Sequence, residues 1–402
     1  MGLNFSKYMS TLANRLRPSE VREFLKYARQ PGFISFGGGM PSPEAFPMEE
    51  IKEILEEVFK SYGTSALQYV PTEGIREFRE VLAEYMEKKL SISVNSIDEV
   101  VVTTGSQQAI ELATQVLMDD EDVVFAEDPV YLAALNVFKK YDLNVVPVEM
   151  DEEGLSPDAL EEELKKGKKP KILYTVPTFQ NPTGRTMGEK RRKRLVDLAH
   201  EYDFLIIEDD PYSRLRYEGN DVKPLKHYDD EGRVMYTSTL SKILAPGFRL
   251  GWVVAHPELV RKIALAKQAA DLCSESLGQF VSMVYIRDHY LESHLPKIIS
   301  LYKEKRDAML KALEEHFPEE AKWTRPKGGM FIWVTMPDGI NTKELLPKAL
   351  ERKVIYVSGK AFRIRPVFNE MRLNFTMPTL EQIEKGIGIL GELFKEEIAK
   401  LS

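Results

Sequence analysis

Ser238-Thr239-Leu240-Ser241-Lys242-Ile243-Leu244-Ala245-Pro246-Gly247-Phe248-Arg249-Leu250-Gly251-Trp252 places a lysine among small hydroxyl residues at the end of an apolar run, Val234, Met235 and Tyr236. A Pro-Gly turn follows, and an arginine stands seven positions after the lysine. A lysine becomes a nucleophile toward aldehydes only when desolvation or a neighbouring cation lowers its pKa from about 10.4. Arg249 is such a neighbour. The hydroxyls of Thr239 and Ser241 are suited to donate to phosphate oxygens, and a guanidinium grips the same group through two bonds. Taken alone, Lys242 would be a solvated surface lysine. Its setting argues instead for a site that holds an aldehyde bearing a phosphate.

Outward from that stretch, short apolar runs alternate with helical patterns from about 46 to 290, the mark of a parallel sheet with crossover helices. The runs are Val100 to Thr103, Val123 to Ala126, Val145 to Val148, Ile172 to Val176, Phe204 to Ile207, Val234 to Thr237 and Gly251 to Ala255. The helix predicted from Ser106 to Met118 gathers Ala109, Ile110, Ala113, Val116 and Leu117 on one face. Beyond a long helix, roughly 296 to 316, short strands at Trp323, Met330 to Thr335, Val354 to Val357 and Met371 to Phe375 predict a smaller α+β unit. A last helix, about 379 to 400, buries Ile383, Ile387, Leu390 and Phe394. The fold class is therefore α/β: a large domain with a mostly parallel seven-stranded sheet between helices, plus a smaller α+β domain. The division is residues 1–45 as N-terminal arm and part of the small domain, 46–295 as the large domain and 296–402 as the C-terminal small domain. In such sheets ligands sit beyond the carboxyl ends of the strands.

The chain has 402 residues, 43% hydrophobic and 29% charged, with a net charge of −8. That balance describes a soluble globular protein of two domains and gives no reason to bind nucleic acid or an acidic membrane surface. No apolar run approaches the roughly 18 residues needed to span a bilayer, and the N-terminus lacks a signal-peptide plan. A cytoplasmic location is expected. The single Cys273, in a helical stretch, fits a reducing compartment as a buried structural thiol. Met1-Gly2-Leu3-Asn4-Phe5-Ser6 matches a myristoylation pattern so short that it is read as coincidence. Abundant Lys and Glu lean toward a thermophile's surface.

Other stretches fall at predicted strand ends, and each has a plain reading. Gly37-Gly38-Gly39 is either a flexible corner or a backbone that approaches a ligand. Ser106 and Gln107 open a helix after a strand, where free N–H groups and the helix dipole make an anion site, although Ser106 could be no more than an N-cap. No Gly-x-Gly-x-x-Gly supports a dinucleotide reading. Glu208-Asp209-Asp210-Pro211-Tyr212 ends a strand with acidic residues. Asn181-Pro182-Thr183-Gly184 is ordinary turn chemistry. Tyr131 follows a strand, and Arg372 is a lone charge in an apolar one, either paired in the interior or facing solvent.

Together, in this order, these motifs resemble the class I and II aminotransferases of fold type I, with the pyridoxal-phosphate lysine in small residue-Ser-Lys, then Pro-Gly-x-Arg-x-Gly. The resemblance runs from about Gly37 to Arg372. Within the family the chain looks most like the 2-aminoadipate, kynurenine and aromatic branch, above all its archaeal multi-substrate enzymes. The resemblance implies pyridoxal 5′-phosphate as cofactor, held by Lys242 as a Schiff base, with Lys242 also moving the Cα proton. Asp209 would face the pyridine nitrogen and keep the ring an electron sink. Tyr212 and Asn181 would bond the phenolic oxygen, and Tyr131 would stack on the ring. Ser106, Gln107, Thr239, Ser241 and Arg249 would hold the phosphate, joined by Tyr69 from the neighbouring subunit of a homodimer. Arg372 would bind the substrate carboxylate, with Gly39, Asn181 and Arg22 near the substrate. No metal is implied.

The implied reaction moves the amino group of an aromatic, 2-aminoadipate-like or kynurenine-like amino acid, glutamate or leucine to a 2-oxo acid such as 2-oxoglutarate, by ping-pong kinetics. The rival readings are a β-lyase or decarboxylase of the same fold and a cofactor-sensing regulator. The regulator would need a winged-helix domain ahead of the first strand, where only about 30 residues stand. In Gly359-Lys360-Ala361-Phe362-Arg363 an arginine replaces the usual aromatic residue. Arg363 and Arg365 are read as a solvated loop, with affinity for acidic substrates as the alternative.

Overall fold

The computed structural model describes residues 3–16, 26–27 and 30–401. Arg22 lies outside the described residues. In chain order the strands are β1 (Ile34–Ser35), β2 (Val100–Thr103), β3 (Val123–Asp128), β4 (Asn144–Asp151), β5 (Gly154–Leu155), β6 (Ile172–Thr175), β7 (Leu205–Asp209), β8 (Val234–Thr239), β9 (Gly251–Val254), β10 (Lys322–Trp323), β11 (Phe331–Thr335), β12 (Val354–Ile355), β13 (Val357–Ser358) and β14 (Glu370–Asn374).

The large sheet has the order β2-β9-β8-β7-β6-β3-β4-β5. Neighbours from β8 through β7, β6 and β3 to β4 run parallel. β9 runs antiparallel to both β2 and β8. The strands β2, β6, β8 and β9 are buried at every residue, as expected where helices cover both faces. Seven of the eight strands match the apolar runs. The eighth, β5, pairs Leu155 with Met150 and Gly154 with Asp151 across a tight reversal. Two residues are too few to leave a period in the sequence.

The smaller sheet, β10-β11-β14-β13, is antiparallel throughout. A parallel pair of β1 with β12 ties the N-terminal segment to it. The helix Leu380–Ile398 starts with a capping box at Thr379 and buries Ile383, Ile387, Leu390 and Phe394. The long helix runs Tyr290–His316, starting six residues before the expected 296 with Pro296 inside its N-terminal part. As the seventh helical residue, Pro296 has no N–H to give to the Glu292 carbonyl, so the helix runs through it with one intrahelical bond missing. Cys273 does not sit in a helix. It follows Leu272, whose φ of 66° ends the helix Pro257–Asp271, and it is half-buried. One contiguous apolar core includes Val100, Tyr174, Met330 and Leu390 and so joins the two sheets. Where they meet, the carboxyl ends of β2, β3, β6, β7 and β8 open onto the same side.

Candidate active site

That side carries a cleft of about 840 Å³, lined by Gly39, Ser106, Gln107, Tyr131, Asn181, Asp209, Tyr212, Thr239, Ser241, Lys242, Arg249 and Arg372, among others. Residues read separately from the sequence thus converge. All of these except Gly39 and Arg372 follow or end a strand of the large sheet whose carboxyl end points there.

Lys242 closes the short turn Leu240–Lys242 that follows β8. Its Nζ donates to the carbonyl oxygen of Gly39 at 2.9 Å. Burial, then the charges of Arg249 and Arg372, bring its pKa down from 10.5 to about 8, while Asp209 pulls the other way. The Thr239 hydroxyl caps that turn: it accepts from the Ser241 N–H at 3.1 Å and lies 2.7 Å from the Leu250 carbonyl and 2.9 Å from Ser241 Oγ.

Gly105, at φ 77°, is the N-cap of the helix Ser106–Leu117, and Ser106 is its first helical residue with no side-chain cap bond. The N-cap reading of Ser106 therefore fails. A left-handed turn only glycine adopts easily takes that place, and the serine is left facing the cleft. A methyl on Gly105 would come within 2.8 Å of Arg249 Nη2. One on Gly251 would meet Gly105 and Ser106 backbone at 2.8 Å. The start of β9 is thus pressed against the helix N-terminus, and this close approach sets a guanidinium beside free N–H groups.

Asp209 ends β7 and is 2% exposed. Its Oδ2 accepts from the Tyr174 hydroxyl at 2.8 Å, whereas Oδ1 is buried with no partner. Burial, opposed by the Tyr174 bond, raises its pKa to about 7. Asn181 Nδ2 donates to the Tyr212 phenolic oxygen at 3.3 Å, and Tyr212 packs edge-on against Phe331. Arg372, 5% exposed, donates from Nη1 to Asn181 Oδ1 at 2.9 Å and from Nη2 to the Gly37 carbonyl at 2.8 Å. Its guanidinium lies 4.3 Å from the Phe331 ring centre and 4.9 Å from that of Phe362. Its Nε has no partner. The solvent-facing reading of Arg372 is excluded.

One expectation changes. Arg363 is not solvated. It forms a two-pronged pair with Glu370 at 2.7 and 2.5 Å and donates to the Asp128 carbonyl at 2.8 Å. Arg365 bonds Asp128 through its backbone at 3.4 Å, and neither arginine lines the cleft. Tyr69 does not line it either and is 78% exposed.

Other contributors were hidden in plain positions. Gln180 bridges the buried Glu127 at 3.2 Å and the Pro129 carbonyl at 2.8 Å, and its Oε1 accepts from Thr183 N–H at 2.8 Å. It locks the Asn181 turn to the segment bearing Tyr131. Tyr174 lies in a strand read as core, where a buried hydroxyl should have prompted a search for its partner.

The unpartnered Asp209 Oδ1, the unpartnered Arg372 Nε and the cradle at Gly105 mark three polar stations across one cleft. They suit a flat ring with a basic nitrogen, a carboxylate and a phosphate, so the residues fit pyridoxal phosphate with an amino acid.

A family model described as aminotransferase class I and II matches residues 34–390. The chain is 50% identical over 403 residues to aromatic-amino-acid aminotransferase 1 of Thermococcus litoralis, covering 99% of this chain and 96% of that one. It overlays the crystal structure of the multiple substrate aminotransferase from Thermococcus profundus with a TM-score of 0.95 at 48% identity, over 99% and 100% of the two chains. The α-aminoadipate aminotransferase of Thermus thermophilus, complexed with N-(5′-phosphopyridoxyl)-L-leucine, overlays with a TM-score of 0.91 at 36% identity, over 99% and 100%.

Proposed function

This chain belongs to the class I and II aminotransferase family, with pyridoxal phosphate as cofactor, and from that premise we propose that it transfers amino groups from a broad set of donors to 2-oxoglutarate or a similar acceptor. The donors are aromatic amino acids, 2-aminoadipate, kynurenine, glutamate and leucine. The observation that carries the reading is Lys242, enclosed beside Arg249 and Arg372 with a pKa of about 8. Breadth is supported by a mixed cleft wall, in which Leu132 and Val137 stand beside Asn136, Glu111 and Lys140.

When bound, the cofactor supplies an aldehyde that condenses with amino groups and a protonated ring that accepts the electron pair left at Cα. Lys242 would hold it through Nζ, and the same Nζ would accept the Cα proton and later return one. A pKa near 8 leaves part of Nζ neutral, as a base needs. Arg372 holds the α-carboxylate through bonds worth about 1.5 to 3 kcal/mol each. Asn181 and Tyr212 would orient the phenolic oxygen, and Tyr131 would cover the ring. Ser106, Gln107, Ser241 and Arg249 bind phosphate, with Thr239 holding Ser241 in place. Asp209 Oδ1, without a partner in the protein, would pair with the ring nitrogen.

The protein acts as a cytoplasmic homodimer, with Tyr69 reaching the partner's phosphate. Its exposure on this chain supports that role. Residues 46–295 form the cofactor domain, and 1–45 with 296–402 the arm and small domain. Among the described residues no helix is long and apolar enough to cross a membrane.

An absorption spectrum between 300 and 500 nm tests the reading. A long-wavelength band should bleach with an amino-acid mixture and return with 2-oxoglutarate. A band that never returns with any oxo acid would favour a lyase or decarboxylase.

A further inference from the structure

The partner of Asp209 is a residue outside the cleft lining. Tyr174 is fully buried on β6, next to β7 in the sheet, with its ring held edge-on by Phe138 at 5.7 Å. Its hydroxyl donates to Asp209 Oδ2 at 2.8 Å, leaving Oδ1 as the bare oxygen. We propose that Tyr174 is a positioning residue: it fixes which oxygen of Asp209 faces the cofactor ring and keeps the proton between carboxylate and ring on the nitrogen. This rests on the assignment of Asp209 to that nitrogen.

A carboxylate and a pyridine compete for one proton, and the proton resides on the more basic partner. Its own burial, and then Asp210 beside it on the chain, make Asp209 more basic. Lys242 acts in the opposite sense, and Tyr212 faces the same carboxylate from beyond β7. The Tyr174 bond is made to the charged form and so lowers the carboxylate's basicity. Burial and the adjacent carboxylates hold the phenol itself protonated, well above its ordinary range, so it remains a donor at every working pH. Without the hydroxyl, Asp209 would be freer to rotate and better able to draw the proton off the ring. The ring would then be the weaker electron sink.

The test loads full-length wild type, Tyr174→Phe and Phe138→Leu with pyridoxal phosphate carrying ¹⁵N in the ring, and reads the nitrogen's chemical shift. Wild type should give the protonated-ring signal. Tyr174→Phe should move toward the unprotonated position and hold the cofactor about tenfold more weakly, the equivalent of one pKa unit. Phe138→Leu, which loosens the packing but keeps the hydroxyl, should leave the signal in place. Identical signals in wild type and Tyr174→Phe overturn the proposal. An unprotonated signal in wild type itself overturns the Asp209 assignment instead. A Tyr174→Phe protein that fails to load counts for the proposal if Phe138→Leu loads normally, and against it if both fail.

Discussion

Arg372 and Tyr212 are joined through one amide: Asn181 accepts from the guanidinium at 2.9 Å and donates to the phenol at 3.3 Å. The group that would bind the substrate carboxylate is therefore in direct contact with the groups that would orient the cofactor ring. Replacing Arg372 by Lys keeps a charge but loses the two-pronged geometry and strands Asn181 Oδ1. About ten- to hundredfold should be lost from the rate at which an amino acid bleaches the cofactor band, for each bond broken. The unreacted band itself should be intact in position. Stopped-flow absorbance reads both, and an unchanged bleaching rate would remove Arg372 from substrate binding.

Lys242 sets a pH dependence for cofactor capture. Only the neutral amine attacks an aldehyde, and the folded chain holds this lysine near 8 instead of 10.5. Below about 8 the loading rate of cofactor-free protein should rise about tenfold per pH unit and then level off. Lys242→Ala should show no long-wavelength band at any pH and nearly no turnover. The same shift touches stability: between 8 and 10.5 the unfolded chain binds the extra proton, so the cofactor-free protein gains stability as pH rises through that window.

Gly105 and Arg249 give a separate handle on phosphate. Gly105→Ala forces a Cβ onto a φ of 77° and to within 2.8 Å of Arg249 Nη2. Backbone strain of about 1 to 3 kcal/mol and a displaced guanidinium should weaken cofactor affinity about tenfold. Gly167→Ala shares the positive φ but meets nothing within 4 Å. It should melt slightly earlier and bind cofactor normally. Equal affinity in both variants would detach Arg249 from the phosphate.

The parts of this site legible in the sequence are those that sit at strand ends in local motifs. Lys242, Asn181 and Asp209 follow or end a short apolar run and Arg249 stands just before one that runs antiparallel, so topology alone carries them to one edge. What stayed hidden depends on contacts distant in the chain. Arg363 finds Glu370 after a turn and Asp128 only in three dimensions. Tyr174 looks like any aromatic in a buried strand until β6 and β7 pair. Ser106 shows the reverse case, where a local cap rule gave way to Gly105 because β9 must pass close by. The helix Tyr290–His316 starts before the expected 296 because it runs through Pro296, a residue that ordinarily ends or kinks a helix.

Tyr69 decides whether one chain makes a complete site. An exposed tyrosine that reaches a neighbour's phosphate puts Lys242 of one subunit and Tyr69 of the other in the same site. Tyr69→Phe should then raise the cofactor's dissociation constant, and Lys242→Ala should abolish turnover. Mixed after unfolding and refolding together, the two variants form mixed dimers with one site that has both residues intact. With random pairing in a symmetric dimer, about a quarter of all sites should then bind and turn over like wild type. Cofactor titration and activity of the mixture measure that fraction. If Tyr69 served its own chain's site, every Tyr69→Phe chain would stay impaired whatever its partner, and mixing would restore nothing.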